Sequence, residues 1–277
     1  TIHGAALFAD ISGFTPLTDQ LAAAGKEGPE ELTRLLNAYF NPIIAAIESE
    51  SGEVVKFSGD ALMVVFPADA RPLAEAVRRA QQAAEGMQQL LADMGALETT
   101  AGEVQLEMKI GIGAGDIVAM EVGGLLGRWE YIIAGDPIRQ ATAAEGECRP
   151  GEVALSPEAS EVIHPWQLPP RRVETVMQPN LSALDSVEQT LRRFVPGAVL
   201  GFLETGARSW LGVLRDMTVL FIGLKDYEFT GARAISQFHE LVRDVQGALY
   251  RFEGSLNKVA VDDKGALIMA LFGAPPL

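Results

Sequence analysis

The sequence predicts an α/β (α+β) protein in which short apolar strands alternate with amphipathic helices, and in which this pattern begins twice. Two apolar segments, residues 54–57 and 61–66, flank a Ser-Gly-Asp turn and indicate a β-hairpin. Before them, residues 29–47 carry apolar side chains at a helical period that gives one continuous apolar face. At Met217 a similar strand begins again, which indicates an internal repeat on the scale of a domain.

The elements of the first copy follow one another at short intervals. An apolar run over residues 5–9 predicts the first strand. A short helix follows Thr15, because Pro16 suits the first position of a helix. After the long helix and the hairpin, the pattern predicts strands over residues 105–112, 117–122, 129–134 and 151–156, and helices over residues 71–94, 135–144 and 157–163.

A proline-rich segment over residues 165–180 separates the two copies and predicts a linker. The sequence therefore predicts a first domain over residues 1–164, a linker over residues 165–215, and the incomplete start of a second domain over residues 216–277. The predicted elements of the second domain are a strand over residues 218–223, a helix over residues 231–252 and a hairpin over residues 256–272.

Composition excludes several classes of protein. The formal net charge of −15 argues against a nucleic-acid partner, which requires a basic surface. The only cysteine, Cys148, has no second cysteine in the sequence to form a disulfide with, so a reducing, cytoplasmic setting is expected. No uninterrupted apolar run approaches the roughly 18 residues that a membrane-spanning helix needs. We therefore expect no membrane span in this segment.

Two aspartates stand at the ends of predicted strands. Asp10 follows the first apolar run, and Asp60 lies in the hairpin turn. If the first strand pairs beside the hairpin, two like charges meet, and a divalent cation would remove their repulsion. Mg²⁺ binds one or two carboxylates together with substrate phosphates, and the turn over residues 11–15 offers backbone N–H groups to an anion. The pattern predicts a metal–nucleotide site, whereas either aspartate alone reads as an ordinary turn or cap residue.

Two motifs carry a family resemblance. Residues 8–15 read FADISGFT and residues 56–62 read KFSGDAL. Together they resemble the catalytic domain of class III nucleotidyl cyclases, and they are most similar to the soluble, bicarbonate-responsive adenylyl cyclase type with two tandem cyclase domains. The resemblance covers nearly the whole chain. It implies a ferredoxin-like cyclase fold, a mixed and mainly antiparallel sheet flanked by helices, in two tandem copies of which the second is truncated.

The resemblance also assigns roles to residues. It implies that two Mg²⁺ or Mn²⁺ ions are held by the catalytic carboxylates of Asp10 and Asp60 and by the backbone carbonyl of Ile11. Lys109 would contact the triphosphate and Lys258 would read the adenine; without the resemblance, both would be interpreted as solvated lysines. The remaining residues implied to bind substrate are Ile11, Ser12, Gly13, Phe14 and Thr15.

The two copies differ at their expected site residues. Gly223 stands where the first copy has Asp10, so the second copy is not expected to hold the metals. Arg139 and Ala143 stand where the family has an Asn and an Arg, which we expect the second copy to supply beyond Leu277. This segment alone is therefore expected to be weakly active or inactive. Lys56 and Arg139 are candidates for a regulatory bicarbonate pocket; alternatively, Lys56 pairs with a carboxylate and Arg139 fills an inert pocket.

The function that the resemblance implies is conversion of ATP to 3′,5′-cyclic AMP and pyrophosphate at the interface of two cyclase domains. The alternative is a non-catalytic cyclase-homology module that regulates a larger signalling protein. A polymerase-like palm or a cyclic-dinucleotide synthase would also use paired aspartates, but the sequence has no GGDEF-like turn.

Overall fold

The computed structural model describes residues 1–23, 28–100, 102–163, 184–195, 199–200 and 216–273. Contacts divide the chain into two compact units. Among the described residues, the first unit contains residues 1–23, 28–100, 102–117 and 136–163, and the second contains residues 118–135, 184–195, 199–200 and 216–273. The predicted domain boundaries at residues 164 and 215 fall outside the described residues and stay predictions.

The first unit is built on a mixed, mainly antiparallel sheet, which confirms the predicted fold class. Strand β1 lies at its centre and pairs antiparallel with β3 on one edge and with β6 on the other, while β2 pairs with β3 and β8 runs parallel to β6. The elements of this unit are β1 Ile2–Ser12, α1 Phe14–Ala23, α2 Gly28–Ser49, β2 Glu53–Ser58, β3 Ala61–Pro67, α3 Leu73–Met94, β4 Leu97–Thr99, β5 Gly102–Val104, β6 Glu107–Gly123, α4 Asp136–Glu147, β8 Val153–Leu155 and α5 Pro157–Ile163.

The two faces of β1 have different surroundings. Leu7, Ala9 and Ile11 alternate along the strand and join a buried core with apolar residues of α2 and α3, as period-two side chains on one face should. Helix α4 lies directly against β6. Its backbone is so close that a Cβ atom at Gly111 would collide with it. The glycines of β6 thus allow close packing of helix on strand.

Strand β6 differs from the prediction. The sequence predicts two strands over residues 105–112 and 117–122, with Gly111, Gly113 and Gly115 at the end of the first. The structure has one strand of 17 residues, because Gly111 lies within the ladder and allows α4 to approach instead of forming a turn. The short hairpin of β4 and β5 was not predicted.

The second unit contains a β-α-β-β segment. Its elements are β9 Thr218–Lys225, α7 Gly231–Arg251, β10 Gly254–Asp262 and β11 Gly265–Phe272, and its sheet has the order β10-β11-β9, antiparallel throughout. This order matches β2-β3-β1 of the first unit. The unit also contains α6 Leu184–Arg192, the last residues of β6, and β7 Trp129–Ala134.

The segment from residue 118 to residue 134, here called the arm, contributes to the core of the second unit. Val122 and Ile132 of the arm are buried in one cluster with Phe238 of α7 and Val259 of β10. The family resemblance implies that this segment is an arm that reaches toward a partner domain, and its contacts group it with the second unit. That residues 216–277 are a second cyclase domain stays a prediction. No helix in the described part of the chain is long and apolar enough to span a membrane.

Candidate active site

The two predicted aspartates lie at the same end of the β1–β3 pair. The ladder between these strands ends where Ala9 faces Leu62. Asp10 is the next residue of β1, and Asp60 lies two residues before Leu62, in the turn that joins β2 to β3. Asp60 is close enough for its charge to raise the pKa of Asp10. The structure therefore brings together the two carboxylates that the sequence singled out.

The turn that carries Asp60 requires a glycine. Ser58 pairs with Ala61, so Gly59 and Asp60 form a two-residue loop. Gly59 has a φ of +72°, whereas Asp60 is not among the residues with positive φ. Glycine at the first central position is typical of a type II′ turn, whose twist matches that of a hairpin. The turn fixes the place of the Asp60 backbone beside β1.

Electrostatics at Asp10 favour a bound cation. Burial raises the pKa of its carboxyl above the ordinary value of 3.8, and the negative charges of Asp60 and Glu145 raise it further. Lys109 and a backbone hydrogen bond from Ile11 lower this pKa, but the net shift is upward. The described residues contain no group of three or more His, Cys, Asp or Glu side chains that could hold a metal. Here a metal would use the two aspartates with backbone and substrate oxygens.

Lys109 forms an ion pair that the sequence did not predict. It lies opposite Asp10 in the β1–β6 register, and its Nζ is 2.5 Å from Oε1 of Glu145 on α4. The two side chains are 23% and 11% exposed, so Glu145 is buried and Lys109 is partly buried. The hydrogen bond to Glu145 is the main cause that raises the pKa of Lys109. The missed signal is helical spacing, since Ile138 and Ala141 share the buried face of α4 with Glu145.

The predicted phosphate-binding residues run from β1 into α1. Ile11 and Ser12 end the strand, Gly13 makes the turn with a φ of +91°, and Phe14 begins the helix. The helix therefore starts one residue before Thr15, whose side chain lies outside the described part. This arrangement directs the first N–H groups of α1 to the end of the strand that carries the first aspartate.

Lys56 and Lys258 occupy equivalent places in their hairpins. Lys56 of β2 faces Met63 and Lys258 of β10 faces Met269, and in both strands the lysine follows directly on one extra, bulged residue. A β-bulge changes the direction of nearby side chains and often lies beside a functional site. The roles predicted for these lysines differ, adenine recognition for Lys258 and bicarbonate for Lys56, and both stay predictions.

Arg139, the second residue of the predicted bicarbonate pocket, lies on the first turn of α4. Its Nη2 is 2.5 Å from Oδ1 of Asp136, and the arginine side chain is 54% exposed. An exposed pair of this kind contributes little to stability. The ion pair with Asp136 does not test the predicted role of Arg139 in binding bicarbonate, which stays a prediction.

A mixed, mainly antiparallel sheet with two aspartates at one end of neighbouring strands is the architecture expected of a nucleotidyl cyclase catalytic domain. Comparison with known proteins agrees: residues 4–179 match the family model described as "Adenylate and Guanylate cyclase catalytic domain". This match covers well over half of the chain. The chain therefore belongs to that family.

Individual relatives are more distant. Adenylate cyclase type 10 of rabbit (Oryctolagus cuniculus) is 25% identical over 316 aligned positions, covering 98% of this chain and 19% of the relative. The human protein of the same name is 24% identical, again over 98% of this chain. An uncharacterised protein of Mycobacterium tuberculosis is 34% identical over 139 residues, half of this chain. The chain thus spans about a fifth of the length of the adenylate cyclases it matches.

Two solved structures illustrate the likeness in three dimensions. The adenylyl cyclase CyaB from P. aeruginosa is 27% identical, with a TM-score of 0.47, over 58% of this chain and 80% of that structure. The guanylate cyclase domain of RhGC from Catenaria anguillulae, solved in complex with GTP, is 20% identical, with a TM-score of 0.47, over 57% of this chain and 80% of that structure.

Proposed function

We propose that this chain is the catalytic region of an adenylyl cyclase, which converts ATP to 3′,5′-cyclic AMP and pyrophosphate at the interface of two cyclase domains. The observation that carries the proposal is the meeting of Asp10 and Asp60 at one end of the β1–β3 pair, inside the motifs FADISGFT and KFSGDAL. Family membership supports a nucleotidyl cyclase but does not distinguish ATP from GTP as the substrate, so the choice of ATP is part of the proposal.

Asp10, Asp60 and the Ile11 carbonyl would hold two Mg²⁺ or Mn²⁺ ions. The two carboxylates fit this role, because the charge of Asp60 makes the ionised form of Asp10 less favourable and a cation would offset this. A backbone hydrogen bond from Ile11 stabilises the ionised form of the Asp10 carboxyl. The Ile11 carbonyl would complete the ligand set, as the family resemblance implies. When bound, such ions activate the attacking 3′-hydroxyl and neutralise the triphosphate.

The turn between β1 and α1 would bind the triphosphate. Backbone N–H groups from Ser12 to Phe14, with the positive end of a ten-residue helix behind them, form an anion site beside Asp10. Thr15 would contribute from the same turn. Lys258 would read the adenine, and this residue alone favours ATP over GTP. A second cyclase domain of the same chain is the expected partner, and bicarbonate is a candidate regulator through Lys56 and Arg139.

A non-catalytic cyclase-homology module is the second candidate. The observation that favours it is the sequence of α4, where Arg139 and Ala143 replace the Asn and Arg of the family. A complete site then depends on another domain. Such a module would bind nucleotide through Asp10 and Asp60 and release no cyclic product.

The deciding experiment measures cyclic AMP and cyclic GMP formation by the full-length protein with Mg²⁺ or Mn²⁺. Asp10→Asn and Asp60→Asn should each lower cyclic AMP formation by roughly 100-fold or more, because each removes a metal-binding carboxylate. Asp116→Asn is the matched control, since Asp116 is an exposed strand residue that contacts only His3 among described partners. Full activity in Asp10→Asn would contradict the proposal. Nucleotide binding without any cyclic product would support the module.

A further inference from the structure

Lys109 lies where an ammonium could neutralise Asp10, and yet it is bound elsewhere. The two residues face each other across the β1–β6 ladder. In the described part of the chain, the ion pair of Lys109 is made with Glu145 and not with Asp10. Asp10 still senses the positive charge, since Lys109 is among the causes that lower its pKa. One lysine therefore lies between two carboxylates and contacts the one on α4.

The backbone packing of α4 on β6 fixes the place of Glu145. Gly111 lies directly beneath the helix, and a Cβ atom there would collide with the Ala141 carbonyl and with the backbone of Glu145. Glu145 is only 8% exposed. The helix backbone packs against the strand at Gly111. The Glu145 carboxylate is therefore held beside Lys109, two residues earlier on the same face of β6.

An ammonium beside a metal-binding carboxylate competes with the metal. A partly buried ammonium that loses its ion-pair partner is attracted to the next carboxylate, since a partly desolvated charge is more favourable when it is paired. If the Glu145 side chain were neutral, the next carboxylate available to pair with Lys109 would be that of Asp10, which faces it across the ladder. Lys109 would then occupy the position beside Asp10 that a divalent ion needs.

We infer that Glu145 is a positioning residue that holds the Lys109 ammonium against α4 and so keeps the cation position between Asp10 and Asp60 open for a divalent ion. This inference rests on the proposed function, because it takes the two aspartates as metal ligands. It also gives Lys109 a role other than the direct triphosphate contact implied by the family resemblance. Glu145 acts through Lys109 and touches neither the metal nor the nucleotide.

The test is Mn²⁺ binding to this chain, followed by the electron paramagnetic resonance signal of the free ion. Glu145→Gln should raise the Kd for Mn²⁺ by about tenfold, as outer partners of metal ligands commonly do when altered. Adding Lys109→Met to Glu145→Gln should return the Kd to within about twofold of the wild type, because the competing ammonium is then gone. Glu188→Gln, which breaks an exposed ion pair with Arg192 on α6, is the control and should change nothing.

Unchanged Mn²⁺ affinity in Glu145→Gln would overturn the inference, and so would a double variant that binds as weakly as the single one. Circular dichroism checks that each variant is folded. If Glu145→Gln does not fold, Lys109→Met alone decides: binding as tight as the wild type supports the inference, and weaker binding overturns it. The proposed function fails separately, if Asp10→Asn binds Mn²⁺ as the wild type does.

Steady-state kinetics of the full-length protein add an independent readout. Glu145→Gln should raise the Mg²⁺ concentration needed for half-maximal rate, and excess Mg²⁺ should restore kcat, while the KM for ATP at saturating Mg²⁺ stays within about twofold. A large rise in the KM for ATP in Lys109→Met, with no effect of Glu145→Gln, would show that Lys109 contacts the triphosphate and would overturn the inference.

Discussion

The hairpins of the two units share one register with their neighbouring strand but differ in the carboxylates at the end of that strand. In each unit an aromatic residue, Phe8 of β1 or Phe221 of β9, lies opposite a methionine of the hairpin. Two residues further along, β1 has Asp10 and β9 has Gly223. The register therefore shows that the glycine occupies the place of the first aspartate, as the sequence comparison predicted.

The second difference is the length of the hairpin. In the first unit the chain turns after Ser58 and returns at Ala61. The equivalent pair in the second unit is Ala260 with Leu267, and there the ladder continues for two more pairs, to Asp262 opposite Gly265. The place of Asp60 is thus taken by regular strand. The second unit lacks both carboxylates for two independent reasons, one a substitution and the other a longer hairpin.

The largest effect is expected from removing one carboxylate of the first unit, whereas adding one to the second unit should have no effect. Asp60→Ala should abolish tight Mn²⁺ binding by the first unit, lowering affinity by roughly 100-fold, because one carboxylate alone remains. Gly223→Asp should add no Mn²⁺ site to the second unit, because the longer hairpin provides no partner for the new carboxylate. Isothermal titration calorimetry gives both the stoichiometry and the affinity. A new tight site in Gly223→Asp would show that hairpin length does not matter.

The next effect concerns the arm, which packs in the second unit. Gln246 of α7 is fully buried, accepts a hydrogen bond from the Leu125 N–H at 3.2 Å and donates one to the Arg128 carbonyl at 3.0 Å. Gln246→Leu should lower the free energy of unfolding by about 1–3 kcal/mol, since the part-buried Leu125 N–H loses its acceptor, while the Arg128 carbonyl keeps a hydrogen bond from the Gly124 N–H. Urea denaturation measures this change.

Gln89 provides the control for that prediction. It is an exposed glutamine that donates to Asp93 on the same helix, so Gln89→Leu should change stability by less than about 0.5 kcal/mol. Equal destabilisation by the two substitutions would mean that the buried hydrogen bonds of Gln246 do not hold the arm.

A smaller effect separates the turn glycine from the strand glycine. Gly59 and Gly223 both have open space where a Cβ would lie, but only Gly59 has a positive φ. Gly59→Ala should therefore destabilise the chain by about 1–2 kcal/mol through backbone strain alone. Gly223→Ala should be neutral or slightly stabilising. Thermal denaturation of the pair tests this, and equal melting temperatures would contradict the assigned turn.

The smallest effect is a pH dependence that only the first unit should show. Because the pKa of Asp10 is raised above 3.8, the folded chain holds this proton more tightly than the unfolded chain. Without metal, stability should fall as the pH rises from about 3.8 through the raised value. Asp10→Asn should remove this fall, with a gain at pH 7 of at most about 1 kcal/mol for a partly exposed group. Urea midpoints from pH 4 to pH 7 give the comparison, and parallel curves would count against the account.

The sequence predicted those elements whose pattern is local. The helices α2 and α3 and both hairpins appear within a few residues of their predicted bounds, because helical and alternating periods reflect burial on one face. The glycines of β6 led to a wrong prediction of two strands in place of one. A glycine can allow a helix to approach a strand closely, and it can also form a turn. No single sequence distinguishes these two uses.

The site was predictable only in part, for a similar reason. Asp10 and Asp60 lie in motifs whose local sequence predicts the backbone geometry, a strand end for Asp10 and a tight turn for Asp60. Glu145 became visible only once α4 was placed on β6, since its partner Lys109 lies 36 positions earlier. The packing of the arm is a similar case, because its apolar pattern predicts burial but does not identify the surface that it packs against.

Divalent ions must bind between Asp10 and Asp60 if this chain is a cyclase of the proposed kind. A crystal structure of the full-length protein with Mn²⁺ and a non-reactive ATP analogue tests this directly, because the anomalous signal of manganese locates the ions. We expect that signal within coordination distance of both carboxylates, with the nucleotide phosphates beside the turn at Gly13. Manganese bound elsewhere, or a triphosphate held away from this end of β1, would contradict the account.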